Sequence, residues 1–255
     1  MSGKDLTSTL WDAANRLTPD ARSKARTFVD TVGAPFLGSI NGSGSRKDVA
    51  ITFDDGPEPT VTPHLLALLR EHNVKLTFFV LLTQCRRYPE LLQAIVADGH
   101  EIALHGVDHR RITGLPYGLA VDYLSNAKLE LEQLTGQKIN FYRPPYGSQS
   151  VASWNAARKA GLQVVAWSCD GADWVDREVD SVVADSMARL NSGGILLLHE
   201  RLEPDPQRDA PKTTFNRIDM TDRLLNQVAA KGWAAAPVGS MVSESGAKRT
   251  VWLRP

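Results

Sequence analysis

The chemistry-bearing residues of this 255-residue chain come in five groups, each set directly after a short apolar run. Asp54-Asp55 follows Val49-Ala50-Ile51-Thr52-Phe53. Successive side chains on a strand point to opposite faces, so adjacent carboxylates at a strand end can take different jobs, one toward a metal and one toward a water. Gly56-Pro57 then ends the strand and turns the chain. Alone, Asp-Gly-Pro also reads as an ordinary turn. His105 and His109, after Glu101-Ile102-Ala103-Leu104, are four positions apart, which on a helical turn puts both imidazoles on one face. Two solvent-facing loop histidines are the plainer alternative. Two His, one carboxylate and a water compose a catalytic site for Zn²⁺ or a similar divalent ion, with Asp55 the candidate third ligand.

Arg143 opens Arg143-Pro144-Pro145-Tyr146-Gly147 after Asn140-Phe141-Tyr142. The prolines end strand pairing, and the arginine is a permanent cation that can orient a carboxylate or simply sit at a rigid surface turn. Asp170-Gly171-Ala172-Asp173-Trp174 follows Gln163-Val164-Val165-Ala166-Trp167, and His199 ends Gly194-Ile195-Leu196-Leu197-Leu198. A carboxylate beside His199 would favour imidazolium, as a general acid requires. Trp174 reads as a sugar-stacking platform or, by default, a core aromatic. His64, His72 and His100 have no such setting and read as ordinary helix or loop residues.

The apolar runs must position these groups. With Leu76-Thr77-Phe78-Phe79-Val80 and Gly232-Trp233-Ala234-Ala235-Ala236 they make seven expected strands. Helical patterns lie between them: after Thr62-Pro63, after Pro89, and at Leu119–Leu134, Ser150–Ala160, Val179–Leu190 and Met220–Lys231. Such alternation demands a parallel sheet, and a parallel α/β barrel builds its site from the carboxyl ends of its strands. The expected fold is α/β, a distorted (β/α)7-type barrel over residues 46–255, closing imperfectly. Residues 1–45 read as an N-terminal helical extension and linker. Leu6, Leu10, Ala14 and Leu17 form one helical stripe, and Ala21, Ala25, Phe28, Val29 and Val32 form a second, which covers the barrel bottom. Asn41-Gly42-Ser43-Gly44-Ser45 reads as flexible. Glu200–Phe215, with Pro204, Pro206 and Pro211, reads as a long loop on the catalytic face; substrate choice is expected there and at Leu115–Gly118.

Basic and acidic side chains balance at 29 each, which favours neither nucleic acid nor an anionic membrane as partner. Cys85 and Cys169 are too far apart for a CxxC pair, so neither a disulfide framework nor a zinc ribbon is expected. No apolar stretch reaches the roughly 18 residues of a membrane span. No secretory core follows Met1, and a cytoplasmic location is the expectation. Oligomeric state is not set by the sequence.

The ordered segments TFDDGP, HGVDH, RPPYG, DGADW and LLLHE resemble the five motifs of the polysaccharide deacetylase family, carbohydrate esterase family 4, over about residues 48–200. The resemblance implies hydrolysis of an N-acetyl group from an amino sugar, so an acetylated amino-sugar substrate. It implies Asp54 as catalytic base, paired with Arg143, and Asp55, His105 and His109 as ligands of a divalent metal. Zinc comes first, with cobalt, iron, nickel or manganese as alternatives. It further implies that the Tyr146 backbone N–H binds the oxyanion and that His199, tuned by Asp170, is the acid. Trp174 and Leu197 would shape the acetyl pocket. Gly106 departs from the family, which usually places a hydroxyl residue there to brace the metal-binding loop. The rival readings are a deacylase of a non-polymeric or lipid-linked acylated amine using the same site, and a non-catalytic carbohydrate-binding protein. A phosphoaspartate-forming phosphatase would need a second aspartate where Gly56 stands, and a metal-dependent phosphatase is disfavoured because the chain lacks a phosphate-cradling Gly-rich loop.

Overall fold

A computed structural model describes Thr18 and residues 32–34, 36–204 and 213–254. The helical stripes expected before Val32 lie outside the described residues, as does the centre of the Glu200–Phe215 loop.

The strands are β1 (Gly38–Ser43), β2 (Asp48–Asp54), β3 (Thr77–Leu81), β4 (Glu101–Gly106), β5 (Phe141–Tyr142), β6 (Gln163–Val164), β7 (Cys169–Asp170), β8 (Ile195–His199), β9 (Ala234–Ala235) and β10 (Ala247–Val251). The main sheet runs β6-β5-β4-β3-β2-β8-β7, and every pairing in it is parallel. Between the strands come α1 (Thr62–Glu71), α2 (Leu82–Arg87), α3 (Pro89–Ala97), α4 (Tyr117–Thr135), α5 (Val151–Lys159), α6 (Val179–Arg189), α7 (Arg217–Ala230) and α8 (Val238–Ser245). The result is the expected distorted parallel barrel. Among the described residues, no helix is long and apolar enough to cross a membrane.

Strand parity decides which side chains face the site. Val49, Ile51 and Phe53 of β2, Phe78 and Val80 of β3, Ile102 and Leu104 of β4, and Leu196 and Leu198 of β8 join the large cluster that includes Leu65, Leu69, Leu124 and Leu225 of the helices. The alternate residues Ala50, Phe79, Ala103 and Ile195 belong to a smaller inner cluster. By the same period of two, Asp54, His105, Leu197 and His199 share this inner face, at the carboxyl ends. In register, Asp54 sits directly beside His199. Truncating a fully buried outer residue such as Phe53 or Phe78 to Ala costs about 3–5 kcal/mol.

The expected flexible linker at Asn41–Ser45 is corrected: most of it is strand. β1 is largely buried, pairs antiparallel with β10, and bridges Ile40 to Val165 and Gly42 to Gly194. Its glycine content reflects close backbone approach, because a Cβ on Gly42 would lie 2.7 Å from the Gly193 carbonyl oxygen. β1 also corrects the single strand expected at Gln163–Trp167. The Ala166 N–H donates to the Ile40 carbonyl at 2.7 Å, so the chain leaves β5 after Val164 and rejoins the sheet as β7 beside β8. The imperfect closure is therefore a seam between β6 and β7, filled by β1. The last barrel strand is shorter than expected, and pairs with Asp48 and Val49 at the foot of β2.

Candidate active site

The carboxyl ends of the strands surround a cavity of about 530 Å³. Asp55, His105 and His109 meet in it with ligand atoms all within 4.8 Å of one another. Asp55 Oδ1 lies 3.3 Å from His105 Nε2 and 3.4 Å from His109 Nε2. All three side chains are buried. His105 Nδ1 donates to the Arg143 carbonyl at 2.8 Å, which turns Nε2 toward Asp55. Burial holds the His109 imidazole down at about 4, with Asp55 opposing, so its ring is neutral and ligand-ready at pH 7. Burial also opposes the Asp55 charge, but the His105 contact and the two imidazoles outweigh it and hold the carboxyl at about 2.

Among the described residues, buried Asp55 Oδ1 and His109 Nδ1 have no hydrogen-bond partner. A buried carboxylate oxygen without a donor, facing two imidazole nitrogens, is the donor set of a divalent cation. The two histidines do not share a helical turn as expected. His105 is the penultimate residue of β4, Gly106 turns the chain with φ 111°, and His109 has φ 60°, so a backbone reversal brings the rings to a centroid distance of 5.0 Å. The bracing hydroxyl missing at Gly106 has a counterpart: Tyr123 Oη accepts the Val107 N–H at 2.8 Å.

Beside the cluster, Arg143 Nη1 donates to Asp54 Oδ1 at 2.7 Å and to Thr52 Oγ1 at 2.8 Å. The guanidinium is fully buried and lies over the Phe79 ring. The other Asp54 oxygen is 3.7 Å from His105 Nε2, so one face of this carboxylate is held and the other looks into the cluster.

Across the cavity stands His199. Its Nδ1–H donates to Asp173 Oδ1 at 2.8 Å, and its backbone N–H donates to Asp173 Oδ2 at 2.8 Å. This corrects the expected tuning by Asp170. Asp170 lines the cavity, but its nearest ion partner is Arg189 at 3.8 Å. Ala172, with φ 46°, reverses the chain and returns Asp173 beneath β8. Burial disfavours charge on His199, but Asp173 first, then Asp55 and Asp54, outweigh it and lift the imidazole to about 9. Arg217 completes the set, donating to Asp173 Oδ2 at 2.7 Å and to the His199 carbonyl at 3.0 Å. Asp173 was visible within its motif, though spacing could not choose between two aspartates. Arg217 carries no sequence signal.

Tyr146, Trp174 and Leu197 all line the cavity. The Tyr146 ring packs tilted against His109, with centroids 4.2 Å apart. Trp174 is 38% exposed and stands edge-on to His199 at 5.8 Å, which corrects the core reading. One contact had no forewarning: the Glu203 N–H donates to Asp55 Oδ2 at 3.0 Å, leaving Oδ1 to the histidines. Asp55, His109, Tyr146 and Ala172 all have positive φ, strain of about 1–3 kcal/mol each that gathers around one cavity, as at functional sites generally.

A profile of the family described as Polysaccharide deacetylase matches residues 41–165. The chain is 37% identical to a chitooligosaccharide deacetylase from Bradyrhizobium sp. over 187 residues, 72% of this chain and 83% of that protein. It is 37% identical to a peptidoglycan-N-acetylglucosamine deacetylase of Bacillus cereus over 166 residues, 61% of this chain and 74% of the relative. Among solved structures, a family 4 carbohydrate esterase from Streptomyces lividans in complex with acetate superposes with a TM-score of 0.67 at 27% identity, covering 82% of this chain and 99% of the other. The chain belongs to the polysaccharide deacetylase family, carbohydrate esterase family 4.

Proposed function

We propose that this protein is a divalent-metal-dependent N-deacetylase that hydrolyses the acetamido group of an N-acetylhexosamine-containing saccharide, releasing acetate and leaving the free amine. One observation carries the reading: a buried Asp-His-His cluster flanked on one side by an arginine-held carboxylate and on the other by an aspartate-held imidazole. Relatives named as chitooligosaccharide and peptidoglycan deacetylases support the amino-sugar substrate.

Asp55, His105 and His109 would hold the cation, and two imidazole nitrogens with one carboxylate oxygen suit zinc. A divalent ion supplies Lewis acidity there, lowering the pKa of a water and polarising a carbonyl. Asp54, its far oxygen anchored by Arg143, accepts the proton of the water that attacks the acetyl carbon. The Tyr146 backbone N–H donates to the oxyanion that develops. His199, its Nδ1 held by Asp173, delivers a proton from Nε2 as the C–N bond breaks, because an amide anion is a poor leaving group. Trp174 and Leu197 border the space for the acetyl methyl and its sugar.

The test is acetate release from acetylated chito-oligosaccharides by metal-loaded protein, with and without chelator. Turnover that chelator abolishes and zinc restores supports the reading. Turnover indifferent to chelator, or none on any acylated amino sugar, defeats it.

A further inference from the structure

The Tyr146 turn is held in place by a segment more than a hundred residues further along the chain. Tyr146 and Gly147 are consecutive residues with φ near 60°, a conformation that does not hold itself for a non-glycine residue. The Trp252 indole N–H donates to the Gly147 carbonyl at 3.0 Å, and Trp252 is itself 5% exposed. The Trp252 ring packs on Trp167 at 4.7 Å, and a Cβ on Gly147 would lie 2.7 Å from the Trp167 ring, so the turn is seated against the two indoles. Just past the turn, Gln149 and Arg254 exchange both backbone hydrogen bonds as an isolated antiparallel bridge. The buried Gln149 side chain donates to the Trp252 carbonyl and, at 3.0 Å, to Ser39 Oγ of β1.

We propose that Trp252, with Gln149 beneath it, is a positioning residue for catalysis: it fixes the orientation of the Tyr146 N–H by holding the Gly147 carbonyl, two peptide planes on in the same turn. The Gly147 carbonyl and the Tyr146 N–H belong to the same short turn, so a donor that pins one limits rotation of the other. An N–H aimed beforehand at a developing oxyanion acts chiefly in the transition state. The role is separate from metal binding, because neither Trp252 nor Gln149 belongs to the Asp55–His105–His109 cluster. β1, which fills the barrel seam, and the segment that follows β10 therefore also set the geometry of the catalytic face.

This inference rests on the deacetylase reading, and its test separates the two. Trp252→Phe keeps a ring against Trp167 and deletes the donor. In metal-loaded full-length protein kcat for acetate release should fall about 10–100-fold, the scale of a misplaced oxyanion donor. KM should stay within about twofold, since the lost interaction forms only in the transition state. Bound metal should be unchanged. Affinity for a methylphosphonamidate analogue of the tetrahedral intermediate should fall in parallel with kcat, which a merely structural lesion would not produce. Should Trp252→Phe not fold, Gln149→Met removes the donor to the Trp252 carbonyl while keeping the indole, and should lower kcat about three- to tenfold. A kcat within about twofold of wild type, or a loss matched by equal loss of bound metal, overturns the proposal. Wild type that releases no acetate overturns the deacetylase reading instead.

Discussion

The two walls of the cavity follow opposite hydrogen-bonding rules. On the metal wall, Asp55 Oδ1, which faces Nε2 of both His105 and His109, is buried with no hydrogen-bond partner among the described residues. On the acid wall, Asp173 accepts from the His199 ring, the His199 backbone and Arg217, and its own carbonyl accepts from Arg217 as well. Buried polar groups are rarely left unpaired. A cluster left open keeps its lone pairs for a ligand, whereas a saturated one commits its histidine to a single tautomer and charge. The difference separates a site that must bind from a site that must already be protonated.

Removing the open wall should have the largest effect. Asp55→Ala should lose both the ion and activity, a fall of at least the 10⁴-fold at the upper end for a general acid or base. Zinc at a hundredfold excess over its Kd should stabilise wild type by about 2.7 kcal/mol and leave the variant unmoved in a thermal melt. Equal stabilisation of both proteins would remove Asp55 from the ligand set.

Next come the two groups that act on protons. Asp54→Asn and His199→Ala should each cost about 10²–10⁴-fold in kcat/KM while the metal content by mass spectrometry stays at wild-type level. Full activity of Asp54→Asn would end its role as base.

The acid wall then predicts a pH effect of definite sign. His199 must be protonated to act, so kcat/KM falls as pH rises through its pKa, which Asp173 and its neighbours lift to about 9. A bound cation beside it draws that limb lower. Asp173→Asn removes the largest favourable charge and should move the alkaline limb toward acid pH, with a loss of rate of up to about 10⁴-fold by analogy with other aspartate-oriented histidines. An unmoved limb would show that Asp173 does not set the protonation of His199.

The same contrast governs what the sequence disclosed. The open wall was legible because each of its members follows an apolar run at a strand end, and strand parity carries Asp54 and His105 to the inner face. The saturated wall was only half legible. His199 ends β8, but the choice of Asp173 over Asp170 depends on the reversal at Ala172, and Arg217 arrives from the first turn of α7. The parallel sheet followed from alternation, whereas β1 was concealed by glycines that its close packing against the 193–194 backbone requires. Trp252 and Glu203 act through a ring N–H and a backbone N–H, and local pattern does not record either.

Glu200 stands behind both walls and bears on stability alone. Its N–H donates to the Asp54 carbonyl at 3.1 Å, Thr62 Oγ1 donates to one carboxyl oxygen, and the other is buried without a partner among the described residues. Burial, reinforced by Glu58 and Asp55 and opposed by Thr62, pushes the carboxyl up to about 8. Between its ordinary value near 4.5 and about 8 the unfolded chain has released this proton and the folded chain has not. Folding stability from this group therefore drops as pH rises through that window and is level on either side. Glu200→Gln keeps an acceptor for Thr62 and removes the titration. In metal-free protein the melting-temperature difference between variant and wild type should grow in the variant's favour from pH 5 to 8, by several degrees in all. Subtracting one protein from the other cancels the opposite contribution of His109, whose depressed value favours the fold as pH rises toward 6.5. A difference that stays flat across the window would mean that Glu200 is ionised in the fold, and the segment carrying Asp54 and Asp55 would then be fastened by charge rather than by a neutral acid.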